Sequence, residues 1–170
     1  MGPPTAAQFV LLLVVSLPAA WSDVRSYRIP DVLTVGGTVV GILVAGILSA
    51  RTHSWYPALS SVLGLAVGFG LFFAVSVGMP GKLGFGDVKY SGFLGACLGV
   101  PVWFGAVFIS AVAGISAAVL TVGVHRLRNG GDANLVLPAM RLPFAPFLAG
   151  GAVAACLVSW LVPGIRAALF

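Results

Sequence analysis

The sequence predicts an all-α, polytopic membrane protein of about six transmembrane helices in one compact bundle. Hydrophobic residues make up 59% of the 170 residues, and charged residues only 8%. Mean hydropathy is +1.10. The apolar residues also fall into six runs, each bounded by charge, Pro or Gly. A water-soluble domain normally carries about a quarter charged residues, so this chain cannot cover a soluble surface. Spans of roughly 20 residues joined by short loops account for its length. Residues 1–170 therefore read as a single membrane-embedded domain.

The first run, 5–22, ends in Leu17-Pro18-Ala19-Ala20-Trp21-Ser22, which has the look of a secretory cleavage region. A secretory signal begins with positive charge, and residues 1–22 contain no Lys or Arg, so this run reads as a retained first span. The second and third runs, 32–50 and 57–79, are long enough to cross. The fourth, 88–100, is short before Pro101. A helix of about 13 residues rises only about 20 Å, so it is either half-buried or begins upstream with Asp87 at membrane depth. Runs 102–124 and 143–162 complete the set, separated by a polar stretch from His125 to Asn134 with a Gly130-Gly131 turn. Small-xxx-small pairs, Gly37/Gly41, Gly64/Gly68 and Gly95/Gly99, permit close helix contacts in lipid.

Charge asymmetry sets the orientation. Loops 23–31, 80–89 and 125–142 hold Arg25, Arg28, Lys82, Lys89, Arg126, Arg128 and Arg141, whereas the other side holds only Arg51 and Arg166. Positive charge collects on the cytoplasmic side. The expectation is a multi-pass protein of the cell membrane with both termini outside. The same bias accounts for a sequence pI near 9.9 without any nucleic-acid partner. Cys97 and Cys156 sit in apolar runs and form no Cys-x-x-Cys; His53 and His125 are isolated. These residues supply no metal site, and no cofactor is implied.

The informative charges are negative. All four acidic residues are Asp: Asp23, Asp31, Asp87 and Asp132. Carboxylates this scarce beside apolar runs are functional candidates, and the charge count puts Asp23 and Asp87 on the same face. Asp87 follows Gly84 and Gly86, which let the backbone bend and approach another segment closely. If a helix starts there, Asp87 lies at its positive end. Simpler roles compete: Asp23 as an interfacial residue paired with Arg25 or Arg28, and Asp87 as a helix cap. Intramembrane Asp residues also serve as proton relays, so a small proton-coupled transporter or channel is the alternative function. An inert membrane subunit is a third reading.

Taken together, two motifs carry a resemblance. Asp23-Val24-Arg25-Ser26-Tyr27-Arg28-Ile29-Pro30 closes the first span, and Gly84-Phe85-Gly86-Asp87-Val88-Lys89 follows the third. The chain resembles the prepilin peptidases, Gly-x-Gly-Asp intramembrane aspartyl proteases. A softer similarity, Pro143-Phe144-Ala145-Pro146-Phe147-Leu148, opens the last run. The resemblance implies that Asp23 and Asp87 are the catalytic pair, with Gly84, Gly86 and Lys89 shaping or supporting the site. It implies removal of a short basic leader, at the cytoplasmic membrane edge, from type IV pilin-like or preflagellin-like precursors that continue into a hydrophobic helix. Two close carboxyls share a proton, so one can activate water while the other polarises the scissile carbonyl. Helix ends favour Asp87 as base and Asp23 as acid, a division that a coupled pair does not strictly allow. Lys89 is equally well explained as an orientation charge.

Two departures stand out. Bifunctional members of the family carry paired Cys-x-x-Cys motifs in a cytoplasmic domain and methylate the new pilin N-terminus. Without those cysteines the expectation here is cleavage without methyltransfer. Asp31 also stands where the family usually has Asn after Ile-Pro, adding a carboxylate that either acts on Asp23 or caps the second span.

Overall fold

In lipid a chain has no water to satisfy its backbone groups, which leaves helices or closed barrels as spanning structures. A computed structural model describes residues 5–26, 28–79, 83–128 and 144–161, and the regular structure there is helical. Five helices follow in order: α1 (Ala6–Ser26), α2 (Asp31–Thr52), α3 (Tyr56–Gly78), α4 (Phe85–Arg128) and α5 (Ala145–Leu161). Lys82, the Gly130-Gly131 turn, Asp132, Arg141, Pro143 and Arg166 lie outside the described residues, as do the side chains of His125, Arg126 and Arg128.

Four of the helices, α1 to α4, are long and apolar enough to cross a membrane; α5, with 17 residues, is shorter. Their outward faces are apolar, as a lipid-facing surface requires: Leu17 is 67% exposed and Phe108 71%. Runs 88–100 and 102–124, expected as separate spans, both fall within α4, which is two helices meeting at a sharp break. That element is broken at Gly99, where φ 71 and ψ 168 leave the helical region. Glycine alone takes this φ without steric cost. Pro101 follows and lacks an N–H for the helical ladder.

The break reverses the chain. In a straight helix Ser91 and Trp103 would stand about 18 Å apart, yet the Trp103 indole N–H donates to the Ser91 hydroxyl at 3.2 Å. Ser91 in turn donates to the Gly68 carbonyl at 3.0 Å, and the Trp103 ring meets Phe72 edge-on with centroids 6.1 Å apart. Before the break, α4 runs antiparallel to α3 with backbones in direct contact. A Cβ on Gly64 would strike the Gly95 carbonyl oxygen, and one on Gly68 would lie 2.6 Å from the Ser91 oxygen. Two of the glycine pairs noted in the sequence, Gly64/Gly68 and Gly95/Gly99, thus form the seam, whereas Gly37 and Gly41 of α2 meet side chains of α1 and α4. Beyond the break, Gly151 of α5 leaves no room for a side chain against Ala106 and Ser110.

At the remaining ends the chain turns tightly. His53 takes a left-handed conformation (φ 50) and closes α2, its N–H bonded to the Ser49 carbonyl. That is a helix-ending role. One face of α1 carries Leu12, Val15, Ser16, Ala19 and Asp23, all buried. The spacing is that of a single helical stripe. Asp23 is the last member of an otherwise apolar or small contact surface that packs inward, with Val15 touching Gly37 of α2.

Candidate active site

The ends of the helices bring Asp23, Asp31 and Asp87 to one end of the bundle. Asp23 lies in the last turn of α1 and Asp87 in the first turn of α4, so both motif carboxyls sit on helix termini. They are near enough for their charges to act on each other. Asp23 is 7% exposed, and its Oδ2 accepts a hydrogen bond from the Ala145 N–H at 3.0 Å. A helix begins with N–H groups that have no partner inside it. Here the first of these in α5 is satisfied by a side chain 122 residues earlier in the chain.

The interfacial reading of Asp23 therefore fails. Neither Arg25 nor Arg28 forms an ion pair with it among the described residues, and Arg25 instead lies over the Trp21 ring at 5.5 Å. The helix-end division of roles also loses its basis. Asp23 stands at the negative end of α1, but its carboxylate faces the positive end of α5. Since Oδ2 accepts from Ala145, a proton carried by Asp23 belongs on Oδ1.

Asp87 is held through its backbone, its N–H donating to the Gly84 carbonyl at 3.0 Å as α4 begins. Both glycines of the motif have a spatial role. A Cβ on Gly84 would come within 3.4 Å of the Asp87 Oδ2, and one on Gly86 within 3.4 Å of the Ile29 Cβ. Neither adopts positive φ, so their part is close approach and not a left-handed bend. Ile29 is itself buried against this turn.

Lys89 points elsewhere than expected. Its ammonium donates to Asp31 Oδ2 at 2.7 Å and lies 5.1 Å from the centre of the Phe85 ring. No hydrogen bond or ion pair joins it to Asp23 or Asp87 among the described residues. Asp31 is the first residue of α2 and makes no capping hydrogen bond to that helix; Pro30 holds the N-cap position. Its side chain pairs instead with Lys89. No three His, Cys, Asp or Glu side chains converge among the described residues. Two cavities, of about 300 and 430 Å³, lie at the opposite end around Ser60 and His53 and do not touch the carboxyls.

Sequence reasoning missed two contacts, Ala145 with Asp23 and Asp31 with Lys89. The first had a signal: Pro146, which has no N–H to satisfy, immediately follows Ala145 and suits the first turn of a helix.

A multi-pass helical membrane protein with two helix-end carboxyls within electrostatic reach of each other defines a narrow class. Residues 10–119 match the type IV leader peptidase family, and the chain belongs to that family. It is similar to the prepilin leader peptidase/N-methyltransferase of Bacillus subtilis (strain 168), with 33% identity over 156 residues. That alignment takes in 89% of the chain but 54% of the relative, so the chain spans about half the length of that protein. A second similarity, 32% identity over 125 residues, is to the sodium/glucose cotransporter 4 of Danio rerio, and it covers 73% of the chain but 16% of the cotransporter. No solved structure matches.

Proposed function

We propose that this chain is an aspartic endopeptidase that removes the basic leader from type IV pilin-like precursors. The observation that carries the reading is that Asp23 and Asp87, drawn from two distant motifs, lie on helix ends within electrostatic reach of each other in a member of the leader peptidase family. One carboxylate takes a proton from water as it attacks the scissile carbonyl. The other, protonated, polarises that carbonyl and then protonates the leaving amine. Water is the second substrate. The precursor's hydrophobic helix enters the bilayer beside the bundle, and its basic leader stays with the basic, cytoplasmic end.

Three features support this geometry. Ala145 fixes one oxygen of Asp23, which leaves the other for the partner carboxyl or water. Gly84 and Gly86 keep side-chain bulk away from Asp87 and Ile29. Arg25, Arg28 and Lys89 lie at the same end as both carboxyls, the end assigned to the cytoplasm by charge. Within these 170 residues no Cys-x-x-Cys occurs, and the activity proposed for them is cleavage without methyltransfer.

A transport reading has the cotransporter similarity in its favour. Against it, the three described Asp residues all lie at one end of the bundle, so they do not mark a path across it. The test is co-expression with a pilin precursor, followed by sequencing of the product's N-terminus. A new N-terminus at the end of the leader supports the peptidase; an intact precursor opposes it.

A further inference from the structure

Arg28 and Ile29, between α1 and α2, and Asp31, the first residue of α2, are tied to both carboxyl-bearing turns. On the α1 side, the Ser22 hydroxyl, one residue before Asp23, donates to the Arg28 carbonyl at 2.8 Å. On the α4 side there are two attachments. Ile29 is buried against Gly86, and Asp31 holds Lys89 at 2.7 Å. Gly86 and Lys89 flank Asp87 directly in sequence or two residues on. The connection therefore runs from the turn of Asp23 to the turn of Asp87 within a few bonded and packed contacts.

We propose that Asp31 is a positioning residue: by holding Lys89 it fixes the first turn of α4 against the α1–α2 connection and so sets the spacing of Asp23 and Asp87. The inference rests on the peptidase reading above. Asp31 touches neither carboxyl of the pair among the described contacts and acts on them only through Lys89. The ammonium is oriented from two directions, by the Asp31 carboxylate and by the face of Phe85, whose backbone begins α4.

The partial exposure of the pair decides what it is for. The Asp31 side chain is 65% exposed and that of Lys89 25%. Exposed ion pairs add little to folding stability. Catalysis is more sensitive than stability to such a contact, because a misplacement of about 1 Å can cost about a hundredfold in rate. The feature also departs from the pattern of the resembled family, where Asn usually follows Ile-Pro. An amide in that place can accept from Lys89 but brings no charge.

The test is steady-state cleavage of a purified pilin precursor by the full chain in detergent, with thermal unfolding measured in parallel. Asp31→Ala and Lys89→Ala each lower kcat about tenfold, leave KM within about twofold, and barely move the unfolding midpoint. The exchange Asp31→Lys with Lys89→Asp restores kcat to within about threefold of the parent, since the pair re-forms with its ends reversed. Unchanged kcat in Asp31→Ala overturns the proposal, as does an exchange variant no better than the single variants. A raised KM at constant kcat also overturns it, by making Asp31 a contact for the basic leader. Asp87→Asn run alongside separates the two levels. If it is inactive while Asp31→Ala cleaves normally, only the positioning role falls. If it cleaves like the parent, the peptidase reading falls and takes this role with it.

Discussion

The Asp23 carboxylate at the end of α1 accepts a hydrogen bond from the Ala145 backbone N–H that opens α5, at 3.0 Å. This one contact makes the last helix part of the carboxyl site. The first and last described helices are thereby joined at the end of the bundle where α4 begins. It also explains why a carboxylate can complete the buried stripe of Leu12, Val15 and Ala19, since a buried acceptor is tolerated when a donor meets it.

Removing that donor without removing a side chain's function tests the contact. Pro is well suited to the first turn of a helix, where its missing N–H costs the helix nothing. Ala145→Pro therefore keeps α5 but deletes the bond to Asp23. The expected result is a fall in kcat of about tenfold or more, since hydrogen bonds to charged groups are worth about 1.5–3 kcal/mol. Ala145→Gly, which keeps the N–H, stays within about threefold. Cleavage assays on the two variants, with circular dichroism to verify helix content, check this.

The motif glycines act through space, which gives graded substitutions a direction. A methyl on Gly86 meets Ile29 at 3.4 Å, an ordinary contact, so Gly86→Ala retains most activity. Gly86→Leu drives Ile29 from its place and lowers cleavage by about ten- to a hundredfold. Trimming the neighbour in the double variant Gly86→Leu with Ile29→Ala recovers part of the loss. Initial rates for the four proteins decide it.

Stability depends on a different set of glycines. The seam between α3 and α4 leaves no room at Gly64 or Gly95, where the obstacle is backbone and cannot turn aside. Gly64→Ala is expected to destabilise the bundle by about 1–3 kcal/mol, the usual cost of overpacking. Gly46→Ala has nothing within 4 Å of the added carbon and is expected to be neutral or slightly stabilising. Thermal unfolding in detergent compares them.

The indole of Trp103 holds the reversal after Gly99 to the earlier half of α4. Ser91→Ala leaves that buried N–H without its acceptor, at a cost of about 1–3 kcal/mol. Ser91→Thr keeps the hydroxyl and is the control, again read from unfolding midpoints.

Much of this was legible in the sequence, and the reasons are physical. Hydropathy marks where a chain can cross lipid, so all five helices overlap the apolar runs read from it. The break at Gly99 is local chemistry too, with Pro101 two residues on. What the pattern could not show was that the chain doubles back there and sets Trp103 against Ser91, because a pause between apolar runs carries no direction. Long-range partners were the other gap. Sequence proximity points Asp23 to Arg25 and Arg28, whereas its partner is Ala145, a backbone group in the softest of the three motifs. The motif suggests that Lys89 acts on the adjacent Asp87, whereas it reaches across to Asp31. Charge type predicts that a partner exists; only the fold chooses among distant candidates.

The central claim is that Asp23 and Asp87 form one catalytic unit. Its most direct measurement is the cleavage rate of a pilin precursor by Asp23→Asn, Asp87→Asn and the double variant, each confirmed to insert in membranes. Asn keeps the size and polarity of Asp but can neither share nor transfer the proton. Groups that act as a unit are strongly non-additive when removed. Each single variant is expected to lose about a thousandfold or more, and the double variant no more than either alone. Substantial cleavage by either single variant would contradict the central claim.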